Sequence, residues 1–152
     1  MKKGTILIVA TSGGHLSEAL ILLENVIRKA KRSVLYVNYT NRKLDMFGKV
    51  YIEKKEKTAL SYIIDVVLTS IKILYREKPE WIITTGAEIA LPVCILGKLM
   101  GSKVIFIETV TRFTTATKTG KLLYFFCDRF YVQNKETLKC YGKKAEYVGG
   151  LL

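Results

Sequence analysis

The residues best suited to chemistry in this sequence form a short turn that carries its single histidine. Thr11–Glu18 reads T-S-G-G-H-L-S-E, follows the apolar run Ile6–Ala10 and precedes a segment whose apolar residues recur at helical spacing. The adjacent Gly13 and Gly14 let the backbone turn sharply and let a ligand approach the main chain closely. The amides that open the helix would face the same point, where the helix dipole favours an anion. His15 stands at the mouth of this turn, where an imidazole could accept a proton from a substrate.

A structural interpretation of the same turn is also open. Many α/β domains have a glycine after the first strand, and a lone histidine often marks only a helix start or a surface position. The spacing G-x-G-x-x-G of dinucleotide-binding proteins is absent from residues 11–18. The local sequence therefore allows a ligand-binding turn with His15 as candidate base, or a turn that only connects two elements.

Strand and helix patterns alternate along the chain. Apolar, β-branched runs predict strands at residues 5–10, 33–38, 50–52, 81–84, 104–107, 129–132 and 145–148, and helical spacing predicts helices at 16–30, 58–76, 89–100, 120–126 and 135–141. A loop rich in Lys and Glu is expected between the third strand and the helix that follows it. The alternation predicts an α/β fold in one domain, residues 1–152: a doubly wound, mostly parallel sheet of six to seven strands with helices on both faces.

Three polar turns should meet at one edge of this sheet, because ligands of doubly wound sheets bind beyond the carboxyl ends of the strands. The first is the turn at His15, the second is Thr85–Glu88, and the third is Glu108 with the threonine-rich loop after it. The candidate binding residues are Ser12, Gly13, Gly14, Gly86, Glu88, Glu108 and Arg112. Glu88 and Glu108 are equally compatible with carboxylates that face solvent or open a helix.

Composition narrows the class of partner. The chain has 152 residues, 49% of them hydrophobic, with 25 basic against 13 acidic side chains and a net charge of +12. That excess suits an anionic membrane or a phosphorylated ligand better than nucleic acid, because the basic residues are dispersed and no nucleic-acid recognition motif accompanies them. The three cysteines form no C-x-x-C pair and one histidine cannot complete a zinc site, so no metal and no cofactor is expected. Isolated thiols in apolar surroundings favour a reducing cytoplasm.

Membrane contact is expected to be peripheral. The apolar run near the amino terminus ends at Thr11, which is too early for a signal peptide. The longest apolar segment, Ala59–Tyr75, contains Asp65 and Lys72 and is shorter than the roughly 20 residues that span a bilayer. Its apolar residues nearly encircle the predicted helix, so a core helix is expected, with a second surface available to a partner subunit or a membrane.

The same turns resemble a known family. Thr11–Glu18 is similar to the S-G-G-H-x-x-E turn of the asparagine-linked-glycosylation subunit fourteen family, whose bacterial relatives include PssD- and CpsF-like proteins of exopolysaccharide and capsule synthesis. Thr84–Val93 resembles its T-x-G-x-x-x-x-x-P segment, and Glu108-Thr109 with Arg112 resembles its E-S/T-x-x-R element. Gly120–Tyr124 with Asp128–Gln133, and finally Tyr147–Gly149, continue the match in order.

The resemblance implies half of a split glycosyltransferase of the GT-B fold. The family is similar to the amino-terminal, acceptor-side half of MurG-type enzymes, and a separate subunit carries the UDP-sugar site. Such a pair adds a sugar, from UDP-GlcNAc, UDP-glucose or UDP-galactose, to a lipid-pyrophosphate-linked saccharide at the cytoplasmic membrane face. The resemblance thus implies a hexosyltransferase subunit that is inactive without its partner, cytoplasmic and peripheral on the inner face of the cell membrane. Eukaryotic members carry an amino-terminal anchor, and this sequence departs from them in showing none.

Within that resemblance His15 is the candidate base, or else a residue that shapes the cleft between the two subunits. The Gly13 and Gly14 amides would hold a pyrophosphate or the approaching UDP, and Glu108 and Arg112 correspond to acceptor-side polar groups. Two other classes of function remain open: a stand-alone nucleotide- or phosphate-binding module, and a membrane-surface scaffold that only recruits a catalytic partner.

Overall fold

A computed structural model of the chain describes residues 4–53 and 58–150 and contains one seven-stranded sheet. The strands are β1 (Thr5–Ala10), β2 (Arg32–Val37), β3 (Lys49–Ile52), β4 (Trp81–Thr84), β5 (Lys103–Ile107), β6 (Arg129–Val132) and β7 (Ala145–Tyr147). Their order in the sheet is β3-β2-β1-β4-β5-β6-β7, and every neighbouring pair is parallel. The predicted doubly wound parallel sheet is therefore confirmed.

Helices cover both faces of the sheet. They are α1 (Gly14–Lys29), α2 (Ala59–Glu77), α3 (Ala90–Leu99) and α4 (Lys118–Phe126), followed by a 3₁₀ helix (Lys135–Cys140). Side chains of α2, α3 and α4 pack on one face together with Leu7 and Val9 of β1, whereas α1 packs on the other face with Ile6 and Ile8. The alternation of β1 side chains between two apolar cores is what a central parallel strand requires.

The observed elements differ from the predicted ones mainly at their ends. The first helix begins at Gly14 rather than residue 16, because Gly13, with a φ of 92°, already makes the turn. The segment predicted as a helix at 135–141 is a 3₁₀ helix of six residues. The Lys- and Glu-rich loop predicted after β3 falls at 54–57, outside the described residues.

The long helix α2 separates its apolar residues onto two sides. Val66, Ile73 and Leu74 are buried against the sheet and α3. On the opposite side, five apolar side chains at spacings of three and four residues are exposed: Leu60, Ile64, Leu68, Ile71 and Tyr75. None of the helices in the described ranges has the length and apolar content to cross a bilayer. The second apolar side of this helix is therefore exposed, and its burial against a partner subunit or a membrane stays a prediction.

A buried carboxylate connects the end of α2 to the two strands β2 and β3 at one side of the sheet. Glu77 is 6% exposed and lies 2.8 Å from the guanidinium of Arg32 and 3.3 Å from the ammonium of Lys49. The Tyr51 hydroxyl donates to it over 2.6 Å. Burial pushes the pKa of Glu77 up, but the hydrogen bonds from Tyr51 and Lys49 and the charge of Arg32 outweigh it and leave the pKa below its ordinary value.

Acid should weaken the fold through this group. Since its pKa is lower in the folded chain, the Glu77 carboxylate stabilises the fold above the unfolded value of about 4.3, and that stability is lost as the pH falls through the folded pKa. We expect Glu77→Gln to lower the free energy of unfolding by about 1–2 kcal/mol at neutral pH, because charged hydrogen bonds are replaced by neutral ones. Urea unfolding followed from pH 7 to pH 3 should show the difference from wild type shrinking in acid. A difference that stays constant over that range would contradict this role.

Candidate functional site

The first predicted turn joins β1 to α1 and includes backbone amides for which no acceptor is recorded among the described residues. Gly13 has a φ of 92°, and an ideal Cβ there would meet nothing within 4 Å, so the turn is open to solvent. The amide of Ser12 donates to Asn38 Oδ1 over 2.8 Å, which fixes the turn to the loop after β2. Among the described residues, no acceptor is recorded for the amides of Gly14 and His15. The turn therefore has the geometry of an anion site at a helix amino terminus.

The second predicted turn lies directly against the first. Thr85 Oγ1 donates to the carbonyl oxygen of His15 over 3.1 Å, and an ideal Cβ on Gly86 would lie 3.5 Å from His15 Cε1. Gly86 and Ala87 have φ angles of 104° and 128°, and residues other than glycine rarely adopt such positive values. Strain of this kind, about 1–3 kcal/mol at a residue such as Ala87, often accompanies ligand sites.

Glu88 connects the second turn to the exposed side of α2. Its side chain is exposed and lies near Tyr62, one turn into α2. Burial and the nearby charge of Glu88 raise the pKa of the Tyr62 hydroxyl, so this phenol stays protonated and available as a donor. The contact brings the start of the apolar stripe close to the candidate site.

His15 sits between these turns with its two ring nitrogens in different surroundings. Nδ1 is buried beside Gly86 and has no hydrogen-bond partner among the described residues. A buried N–H without an acceptor is rarer in proteins than a buried acceptor without a donor. The geometry therefore favours a proton on Nε2 over a proton on Nδ1. In that tautomer Nε2 carries a proton that it can donate to a ligand, and it would have to lose this proton before it could act as a base.

The third predicted group, Glu108, points into the protein. Its side chain is 1% exposed and accepts hydrogen bonds from the amides of Thr109 and Thr117, at 3.1 and 3.2 Å, and from the hydroxyls of Thr117 and Tyr141. Burial and this contact with Glu108 raise the pKa of Tyr141, which keeps its hydroxyl a donor. Glu108 therefore holds the loop 108–117 in shape from inside.

The outer part of the loop 108–117 is exposed to solvent. Arg112 and Phe113 both face solvent, and Arg112 makes one long contact of 3.4 Å with Thr115 Oγ1. The backbone beneath them is tied down, because Asn134 Nδ2 donates to the carbonyl oxygens of Val110 and Arg112 at 3.0 and 2.9 Å. The structure thus offers the Arg112 guanidinium at the same edge as the His15 turn.

Sequence reasoning missed two residues that join these turns, Glu18 and Gln133. Both are buried, at 5% and 3% exposure. Glu18 lies inside the S-G-G-H-x-x-E motif, which was a signal that this position matters without indicating its contact. Gln133 ends the stretch Asp128–Gln133 of the family resemblance, which likewise gave no indication of its contacts.

The part of the chain that the structure describes contains no obvious metal site. No three His, Cys, Asp or Glu side chains in residues 4–53 and 58–150 are grouped so that they could hold an ion. What the three turns offer is a set of amide donors, one imidazole and one guanidinium, which suits phosphate oxygens and sugar hydroxyls.

Comparison with known proteins identifies relatives over nearly the whole chain. Residues 51–151 match the family model described as "Oligosaccharide biosynthesis protein Alg14 like". The human protein named UDP-N-acetylglucosamine transferase subunit ALG14 is 28% identical over 97% of this chain and 83% of its own length. The Yarrowia lipolytica protein of the same name is 24% identical over 97% of this chain and 81% of its own length.

Solved structures show the same fold within longer chains. MurG of Acinetobacter baumannii superposes with a TM-score of 0.78 at 16% identity, covering 97% of this chain and 46% of MurG. UDP-N-acetylglucosamine 2-epimerase of Rickettsia bellii gives a TM-score of 0.72 at 13% identity, covering 96% of this chain and 44% of the epimerase. The chain therefore spans less than half the length of these enzymes, and the likeness concerns the fold.

Proposed function

The chain belongs to the Alg14-like family of oligosaccharide biosynthesis proteins, and we propose that it is the acceptor-binding subunit of a two-chain glycosyltransferase. A second subunit carries the UDP-sugar site, and the pair transfers a sugar to a lipid-pyrophosphate-linked saccharide in glycan or polysaccharide synthesis. Support comes from the relatives that are named as transferase subunits and from the fold shared with part of MurG. UDP-GlcNAc is the first donor to test, because those relatives are named for it.

The observation that carries the proposal is the contact between the first two turns at the carboxyl edge, where the loop that carries Arg112 also emerges. Thr85 and Gly86 pack directly on His15, and open space surrounds the Cβ positions of Gly13 and Gly14. In this proposal the amides of the first turn and Arg112 bind the pyrophosphate of the acceptor or the departing UDP, and Ser12 and Glu88 bind hydroxyl groups. Glu108 acts from inside, by holding the loop that carries Arg112.

The division of labour predicts that this chain transfers no sugar alone. Purified chain, its co-purified partner and their mixture should be assayed with a synthetic lipid-pyrophosphate saccharide and a panel of UDP-sugars. We expect product only in the mixture, because the described residues offer one half of a cleft. Turnover by this chain alone would overturn the proposal. Tight binding of a free nucleotide by the chain alone would instead support a nucleotide-binding module.

His15 should be needed for turnover in the mixture. We expect His15→Ala to lower kcat by about 100-fold or more, as the loss of a positioned acid–base group usually does. Folding and partner binding should be unchanged, because the imidazole makes no side-chain hydrogen bond among the described residues. His15→Gln separates the roles: a glutamine amide can donate in place of Nε2–H, but it cannot accept a proton. Recovery in His15→Gln would indicate a donor, and loss in both variants a base.

Unchanged rates in both His15 variants would remove this residue from the reaction. If variants of Gly13, Gly14 and His15 all kept complex formation and activity, the chain would be a scaffold for its partner.

The exposed stripe of α2 is proposed to bind the membrane surface from the cytoplasmic side. Leu60 and Tyr75, near its two ends, are 71% and 67% exposed. The cations Lys72 and Arg76 flank it and are exposed. Apolar residues beside cations suit the interface of an anionic leaflet. This contact would keep the subunit peripheral on the inner face of the cell membrane, where a lipid-linked acceptor is held.

Vesicle binding should depend on this stripe. We expect Leu60→Ser, Ile64→Ser and Leu68→Ser each to weaken binding to phosphatidylserine-containing vesicles by about tenfold, since burying such a side chain contributes roughly 1.5 kcal/mol. Ile21→Ser is the matched control, because Ile21 is 64% exposed on α1, across the sheet from α2. Co-sedimentation measures the affinity. If the three stripe variants bind vesicles as tightly as Ile21→Ser, the membrane role is overturned. If the stripe variants instead lose binding to the partner subunit, the stripe is the contact surface for that subunit.

A further inference from the structure

The two buried residues that sequence reasoning missed form one hydrogen-bonded unit. Glu18 Oε1 accepts from the amide of Val110 over 2.7 Å and from Gln133 Nε2. Gln133 Nε2 also donates to the carbonyl oxygen of Glu108 over 3.0 Å. We refer to Glu18, Gln133 and the backbone of residues 108–110 as the buried clamp.

The clamp connects segments that are far apart in sequence. Val110 and Gln133 lie 92 and 115 positions from Glu18. Glu18 is on the first turns of α1, three residues after His15, whereas residues 108–110 begin the loop that carries Arg112. These hydrogen bonds therefore connect α1, just after the His15 turn, to the start of the loop 108–117 and limit how far the two can move apart.

The hydrogen-bonding groups of the buried clamp fix the orientation of the Gln133 side chain. Its amide lies next to two acceptors, Glu18 Oε1 and the carbonyl oxygen of Glu108, so its NH₂ group must face them. Glu18 is desolvated, and the structure records no cation paired with it in residues 4–53 and 58–150. A buried carboxylate is unfavourable unless donors surround it, and an apolar pair would fill the same space without that penalty. Packing alone therefore does not account for a glutamate at this position.

We propose that Glu18 and Gln133 are positioning residues that fix the loop 108–117, and with it Arg112, relative to the His15 turn. The clamp sets the gap into which the pyrophosphate of the acceptor fits. Its catalytic consequence depends on the function proposed above, whereas its mechanical consequence does not.

The mechanical consequence is measurable by hydrogen–deuterium exchange in the isolated chain, without the partner subunit. Glu18→Ala leaves the Val110 amide and the Gln133 NH₂ without their acceptor, so we expect exchange in residues 108–117 to rise by roughly tenfold or more. Glu18→Gln keeps an acceptor oxygen and should stay near wild type. Gln133→Glu, which has nearly the same shape, replaces the donor with an acceptor and should loosen the same loop.

Glu24→Ala is the matched control on the same helix. Glu24 pairs with Arg28 one turn further along α1, and both side chains are exposed. This variant should leave exchange in residues 108–117 unchanged. If Glu18→Ala and Gln133→Glu exchange no faster there than Glu24→Ala, the clamp is overturned, whatever the enzyme does.

The catalytic consequence is measured in the mixture with the partner subunit. We expect Glu18→Ala and Gln133→Glu to lower kcat/KM for the acceptor by about 10- to 100-fold, because a small misplacement of a binding group has effects of that size. The KM for the UDP-sugar should not change, and Glu18→Gln should restore the acceptor kinetics. A purely stabilising role would lower the amount of folded enzyme without this split between acceptor and donor. Equal loss for both substrates would therefore overturn the positioning role.

The two proposals fail in different ways. If wild type shows no transfer with any partner or donor, the proposed function is wrong, and the exchange experiment still decides the clamp. If wild type is active and the clamp variants keep acceptor kinetics, the function stands and the positioning role is wrong.

Discussion

The parallel direction of all seven strands is the constraint on which the rest of this structure depends. Each strand ends at the same edge, so every turn from a strand into a helix emerges there, however far apart the turns are in sequence. The order β2-β1-β4-β5-β6 then places the turns after β1, β4 and β5 side by side. His15, Gly86 and the loop 108–117 become neighbours for this reason alone.

Loops that gather at one edge also need hydrogen-bond partners for their backbone, because their N–H and C=O groups no longer pair with a neighbouring strand. Here buried and half-buried polar side chains supply them. Glu108 accepts from the amide of Thr117 and Glu18 from the amide of Val110. Asn134 donates to the carbonyl oxygens of Val110 and Arg112, and Tyr141 donates to the carboxylate of Glu108. The same contacts that satisfy the backbone also keep the loop in one shape. Rigidity at this edge is therefore a product of hydrogen-bond satisfaction, and it leaves Arg112 and Phe113 outside as the groups free to meet a ligand.

Local pattern was enough to predict most of the fold. The apolar runs identified all seven strands, and Gly13 and Gly86 marked two turns where the backbone does adopt positive φ angles. The sequence could not assign Glu108 correctly between solvent and interior, because its partners include Tyr141, 33 positions away. Glu18 is similar, since one partner lies 115 positions away. Hydrophobic periodicity and turn chemistry are local, whereas buried polar contacts are known only once the topology is.

The apolar stripe of α2 begins at the same edge of the sheet as the polar turns. Thr58 caps the start of α2, and Leu60 and Ile64 begin the stripe there. The nearby charge of Glu88, in the second turn, helps to raise the pKa of Tyr62 in the same part of α2. A molecule with a charged head and a long apolar tail would meet amides and a guanidinium at one end and the stripe, or the bilayer beneath it, at the other. A nucleotide alone would use only the first of these surfaces. This arrangement supports the proposal that the ligand of this edge is a lipid-linked phosphate rather than a free nucleotide.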